Sequence, residues 1–233
     1  MRRWLVLLCL LIISVPVTAE QAFWDDLADT WLVIKVTAAC DYTNPTTREF
    51  AMDAAKPSPS GTLSITQICN IFDAIILPHW TYFHDPYRTR MGDSVTAASD
   101  SIKIGLRGDC DDFAVLMAAC IRAIGGACRV VIANDESGGH AFAEVYVGGA
   151  VSARKVFGYI MGRYGMFHVF LDFDGAGWWL SLDWSGTPPT WADAYPGRNP
   201  LIEPRKATSI LYVPIYSLAA VSQGYPLPVP VVP

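Results

Sequence analysis

The chain has 233 residues, 52% hydrophobic and 17% charged, a balance that suits one domain with a sizeable core and excludes a polar, disordered chain. Its 17 basic residues face 22 acids, a formal charge of −5, so the basic footprint that nucleic acid requires is absent.

Met1-Arg2-Arg3, the apolar run from Trp4 to Val15 and the small residues Val17-Thr18-Ala19 before Glu20 read as a secretory signal cleaved after Ala19. The run is too short for a comfortable membrane span. The expectation is therefore a secreted or periplasmic protein with no stable span after cleavage, an uncleaved anchor being the alternative. Loss of Arg2 and Arg3 takes the basic count from 17 to 15 against 22 acids, a formal charge of −7. In an oxidising compartment Cys40, Cys69, Cys120 and Cys128 could form disulfides; four cysteines allow three pairings, and spacing does not choose among them.

Phe23, Leu27, Trp31 and Ile34 have helical spacing, and from about Cys40 the chain turns loop-like through Asn44-Pro45, Pro57 and Pro59. Ser64-Ile65-Thr66-Gln67 is a capping-box signature ahead of an apolar stripe of Ile68, Ile71, Phe72, Ile75 and Ile76, which should stop before Pro78. Trp80 to Pro86 reads as an aromatic extended segment. A helix is then expected from Asp109 as cap, with Asp111 and Asp112 in its first turn and Gly125-Gly126 as its stop; nearly every residue from Phe113 to Ile124 is apolar, which places it in the middle of the fold. Strands follow at Cys128–Ala133 and His140–Val147, a helix near Ala150–Gly162, and a hairpin of Phe167–Phe173 and Trp178–Asp183 around Asp174-Gly175-Ala176-Gly177. Helices first and strands afterwards imply an α+β fold, with the central helix packed on a largely antiparallel sheet.

Cys110, in Gly108-Asp109-Cys110-Asp111-Asp112-Phe113, sits at the tip of that helix, and His140 opens a strand in Gly139-His140-Ala141-Phe142-Ala143-Glu144. A helix N-terminus and a nearby imidazolium both favour a thiolate, so the pair reads as nucleophile and base. A third group must orient the imidazole. Asp183 closes a strand that would lie near the histidine strand if the sheet is a meander; its rivals are Asp174, in the hairpin turn, and Asp172, read as facing solvent. Trp80 and Tyr82 are candidates to help the Cys110 amide stabilise an oxyanion, with core packing as the other reading. His79, His84 and His168 read as structural or exposed.

These residues resemble the transglutaminase-like superfamily, a circularly rearranged relative of the papain fold, and within it the exported bacterial transglutaminase-like cysteine peptidases. The resemblance lies in Gly-Asp-Cys-Asp-Asp-Phe-Ala around Cys110, Gly-His-Ala-Phe-Ala-Glu-Val-Tyr around His140 and Trp-Leu-Ser-Leu-Asp-Trp ending at Asp183-Trp184, in the order nucleophile, base, acid. It covers roughly Leu63 to Ser185 and includes Trp80-Thr81-Tyr82 and Asp85-Pro86 as the aromatic segment before the nucleophile. It implies a papain-like core, and together with the readings from composition the chain divides into a signal peptide (1–19), an N-terminal helical and loop extension (20–62), a catalytic domain (63–190) and a Pro-rich C-terminal tail (191–233). Animal transglutaminases carry an aromatic residue directly after the nucleophile, where Asp111 stands here. The resemblance therefore implies a peptidase or amidase rather than a cross-linking enzyme, with protein or peptidoglycan peptides as substrates and no cofactor. Two other readings are open: a binding or metal-holding module using Asp109, Asp111, Asp112, Cys110 and His140, and a family member that has lost its chemistry and serves as a scaffold. Neither hard cations nor zinc suits that mixed ligand set, so no metal is expected.

Overall fold

A computed structural model of the protein describes residues 17–56, 63–78, 80–84, 94–184 and 194–216, with side chains from residue 26 onward. Most of the expected signal segment, His79, Asp85-Pro86 and the proline-rich end lie outside the described residues.

The middle of the molecule is helix α5 (Cys110–Ala123), in which every residue from Asp111 to Ile121 is buried. Three helices precede it on the N-terminal side, α1 (Val17–Ala39), α2 (Pro45–Ala55) and α3 (Ile65–Ile76), and the short α4 (Ala98–Lys103) lies just ahead of the Cys110 loop. Helix α1 runs through the expected cleavage point, and among the described residues no helix is long and apolar enough to cross a membrane. Helix α3 begins as its sequence dictates. The Gln67 N–H donates to Ser64 Oγ at 3.3 Å while the Ser64 N–H donates to Gln67 Oε1 at 3.2 Å, and Ile68, Cys69, Ile71, Phe72, Ile75 and Ile76 are buried beneath. Helices α2, α3 and α4 all pack on α5, and the other side of α5 covers the sheet. Truncating one of its fully buried side chains, Leu116→Ala for example, should cost roughly 2–5 kcal/mol.

The sheet contains β3 (Cys128–Asp135), β4 (Gly138–Gly148), β5 (Leu171–Phe173), β6 (Trp178–Ser181) and β7 (Ser209–Ile215) in the order β5-β6-β4-β3-β7, all antiparallel. Helix α6 (Ala150–Tyr164) intervenes between β4 and β5. The two-residue alternation sorts the faces. Val130, Ala141, Ala143, Val145, Leu180, Val213 and Ile215 belong to the main core around α5, whereas Val131, Ala133 and Phe142 form a second, smaller cluster with Ile202. A separate parallel pair, β1 (Thr81–Tyr82) with β2 (Arg107–Gly108), lies directly ahead of α5 and sets Tyr82 opposite Gly108.

Two expectations need correction. Residues 209–215, read from sequence as part of a Pro-rich C-terminal tail, form the edge strand β7 against β3, and Val213 and Ile215 are in the core. Pro214 is tolerated there because an edge strand has one side without ladder bonds. Asp172 does not face solvent: it is 7% exposed and accepts a hydrogen bond from Arg129 Nη2 at 3.0 Å. Arg129 also donates to Glu144 Oε2 at 2.6 Å and lies 3.6 Å from Asp174, with its guanidinium between the Trp179 and Tyr212 rings. The described cysteines are all free, and Cys40, Cys69, Cys120 and Cys128 are buried as core residues.

Candidate active site

Asp109 caps α5 in an extended conformation, φ −99° and ψ −151°, which makes Cys110 the first helical residue. A helix leaves its first N–H groups without internal partners and its positive dipole end there, so the thiol stands where negative charge is favoured. The loop before it is tightly built. Gly108 has φ +155°, and a Cβ at that position would meet Asp112 Oδ2 at 2.3 Å. Cys110 is half-buried, unlike the other described cysteines.

His140 lies on β4 opposite Ala133, is 5% exposed, and is near enough to the Cys110 thiol for that group to bear on its protonation. Its Nε2 is 2.7 Å from Asp183 Oδ2. Asp183 is fully buried just past the end of β6, which pairs with β4. The same Oδ2 accepts the Leu201 N–H at 3.1 Å, and the Asp183 N–H donates to Ser181 Oγ at 3.4 Å. The structure thus brings together Cys110, His140 and Asp183. Leu201 was not legible as a neighbour because it approaches from the segment between β6 and β7. Burial is the largest influence on His140 and pushes its pKa down; the charge and hydrogen bond of Asp183, followed by Cys110, outweigh it and lift the imidazole to about 10. At neutral pH His140 is therefore an imidazolium.

Aromatic rings wall the site. Trp184 stands edge-on to His140 at 6.1 Å and to Phe113 at 4.5 Å, and Phe142 stacks on His140 at 6.0 Å. Trp80 and Tyr82 join through Trp184, at 6.5 and 5.9 Å. Trp80 is fully buried, and among the described residues its indole Nε1 has no hydrogen-bond partner. Tyr82 is half-buried, with its hydroxyl 3.4 Å from His84 Nδ1.

The acids flanking the thiol form their own group. Oxygens of Asp109, Asp111 and Asp112 lie within 4.8 Å of one another, the set on which a hard cation could be held; the thiol and His140 are not part of it. Burial above all, then the hydrogen bond and charge of Asp109, then Asp112 and Cys110, push Asp111 up to about 10. Burial also raises Asp112, against the opposing pull of N–H donors from Thr96 at 2.7 Å and Asp109 at 3.4 Å. The direction favours the protonated form of Asp111, which sets less negative charge beside the thiol. Asp172 and Asp174, the rivals for the third position, belong to the Arg129 cluster instead. His168 is on the surface against Asn199, and His84 is on the surface beside Tyr82.

Residues 71–184 match the family model described as the transglutaminase-like superfamily. No curated protein and no solved structure matched the chain.

Proposed function

We propose, for a chain that belongs to the transglutaminase-like superfamily through residues 71–184, that it is an exported thiol enzyme acting on amide bonds, a peptidase or amidase rather than a cross-linking transferase. The observation that carries this reading is the line from Cys110 through His140 to Asp183, with the imidazole held at 2.7 Å by a buried carboxylate and protonated at neutral pH. An imidazolium beside a thiol favours negative charge on sulfur, so the pair is suited to deliver Sγ as the nucleophile.

The thiolate Sγ attacks the amide carbonyl carbon, and the π electrons move onto oxygen. The Cys110 N–H at the helix tip supports the oxyanion, and the buried indole N–H of Trp80, which no described residue accepts, is the candidate second donor. As the intermediate collapses, the C–N bond breaks and His140 gives its proton to the departing nitrogen. What remains is a thioester on Cys110 and a neutral imidazole. His140 then takes a proton from water, the hydroxide adds to the thioester carbonyl, and collapse expels the thiolate with the acid product. Asp183 stabilises the imidazolium at each stage where it exists and fixes its orientation. Protein and peptidoglycan peptides both offer the required amide.

The test is to incubate the mature chain with a peptide library and quench in acid. Intact-mass spectrometry should show an acyl adduct on Cys110 that hydroxylamine removes, together with released hydrolysis products. Added primary amine should leave the product distribution unchanged. Amine-capped products in place of acids would identify a transferase, and absence of any adduct would favour a scaffold. Export is tested by the N-terminus of secreted material, expected at Glu20.

A further inference from the structure

Beside the Cys110 loop, the described residues enclose a half-open hollow of about 210 Å³ lined by Phe83, Thr96, Ile104, Arg107, Gly108 and Asp112. Its volume equals the liquid volume of roughly seven waters, room for one medium-sized side chain. Gly108 is two residues from Cys110, so their Cα atoms are at most about 7.6 Å apart. An extended peptide advances about 3.3 Å per residue. A peptide bond held at the thiol therefore has a side chain one or two residues away within reach of the hollow.

The lining has an apolar and a cationic part. Phe83 is 58% exposed and Ile104 45% exposed, large apolar surfaces that no described residue covers. Arg107 is exposed, and among the described residues its guanidinium has neither an ion pair nor a hydrogen bond. The acid in the lining is already engaged. Asp112 Oδ1 accepts the Thr96 N–H at 2.7 Å and Oδ2 accepts the Asp109 N–H at 3.4 Å, while the side chain is 2% exposed. The group left to be satisfied is the guanidinium, and the surface left to be covered is aliphatic or aromatic.

We propose that this hollow is a substrate subsite for a residue with an aliphatic stem and a terminal carboxylate, glutamate in form, whose methylenes lie against Phe83 and Ile104 and whose carboxylate pairs with Arg107. The assignment rests on the reading of Cys110 as the nucleophile and deepens it by naming the substrate class. The same chemistry occurs in an α-linked glutamate of a protein and in a γ-linked glutamate, with its free α-carboxylate, of a wall peptide. Glutamate side chains also fit the exposure of Arg107, since a pair at the rim of a cleft selects without requiring a fully dehydrated charge.

The experiment uses the mature chain with Cys110→Ala, which binds peptides without turning them over. Hexapeptides of alanine and glycine carry a single Glu, Gln or Lys walked through each position, and a further set carries D-glutamate linked through its γ-carboxyl; binding is read by titration calorimetry. At one position the Glu peptide should bind about fivefold more tightly than its Gln and Lys counterparts, the size of one solvent-facing ion pair. That ratio should fall to one when Arg107→Gln is added and should reverse in favour of Lys with Arg107→Glu. A preference in the α-linked or the γ-linked set supports the subsite and tells which source supplies the group. Equal binding of Glu, Gln and Lys at every position, no binding of any peptide, or a Glu preference that survives Arg107→Gln would each overturn it. Because binding is read without turnover, failure of the acyl-adduct test would fall on the enzymatic reading and leave this result to stand or fall by itself.

Discussion

Asp183→Asn separates the charge of the third residue from its shape. In the wild type His140 rises from an ordinary 6.5 to about 10, so between those values the folded chain holds a proton that the unfolded chain has released. The sign follows: His140 contributes its full stabilisation below pH 6.5, and this is lost as pH rises toward 10. The slope is about 1.4 kcal/mol per pH unit, on the order of 5 kcal/mol over the whole window. Asparagine keeps an oxygen where Oδ2 accepts both the imidazole and the Leu201 N–H, but it brings no charge. Burial then dominates, and the imidazole should lose its proton several pH units lower, by NMR titration of the ring. Urea unfolding at intervals from pH 6.5 to 10 should give a falling wild-type curve and a much flatter mutant curve. Other raised acids, such as Glu144 at about 7, cancel in the difference. The mutant loses less at pH 7 than the slope alone suggests, because a neutral pair also avoids the cost of burying two charges. Turnover should drop by roughly 10³-fold or more, with the fold intact. Parallel stability curves for the two proteins across this window would refute the reasoning.

Three further outcomes are expected. Iodoacetamide should label Cys110 well ahead of the four buried cysteines, since burial raises all four thiols, Cys69 to about 11, and His140→Ala should slow the Cys110 reaction; peptide mapping after timed quenching reads this. Trp80→Phe should cut the acylation rate by about 10²-fold while leaving iodoacetamide labelling unchanged if the indole N–H stabilises the oxyanion, because alkylation forms no oxyanion; equal rates with peptide would reduce Trp80 to packing. Glu144→Gln should flatten the loss of stability between pH 4.5 and 7, since a buried acid raised to about 7 stabilises the fold only while it keeps its proton, whereas Arg129→Met should cost roughly 3–5 kcal/mol at pH 8 by leaving buried carboxylates unpaired; denaturant midpoints measure both.

What could be read from the chain followed local signals. The capping box fixed the start of α3, an all-round apolar run marked α5 as the buried helix, and Cys110, His140 and Asp183 each occupy a local landmark: a helix start, the opening of a strand and the end of a strand. The sheet is not the simple meander expected: the chain leaves β4 through α6 and skips a position, so that β6, and not β5, pairs with β4 and brings Asp183 directly beside His140. Other features depend on distant partners. Arg129 meets Glu144 and Asp172 across sequence separations of 15 and 43, and only the strand register shows that a residue alternating toward solvent in pattern is walled in by Trp179 and Tyr212. Strand β7 was hidden by Pro214 and by proline-rich neighbours, because an edge position removes the penalty on which the reading of proline depends. The state of Asp111 was hidden for a different reason. Charge in a helix's first turn favours the helix only while the carboxyl is hydrated, and burial reverses the balance.

The arrangement of strand β4 connects these two kinds of feature. His140, Phe142 and Glu144 alternate onto one face, so the strand that presents the imidazole is tied four residues later to the buried guanidinium of Arg129. On the other face, Ala141, Ala143 and Val145 pack in the core around α5, whose first residue is Cys110. Helix and strand are therefore held against each other by small, close-packed side chains, and the strand is held along its length by an ion cluster that resists sliding. A register shift of one residue would turn His140 away from Asp183 and place Glu144 in the apolar core, a cost of several kcal/mol from the buried carboxylate alone. The proximity of thiol and imidazole thus depends on the sheet as much as on the helix tip, and loosening the Arg129 cluster should first show as wider variation in the Cys110 to His140 separation, before the fold itself gives way.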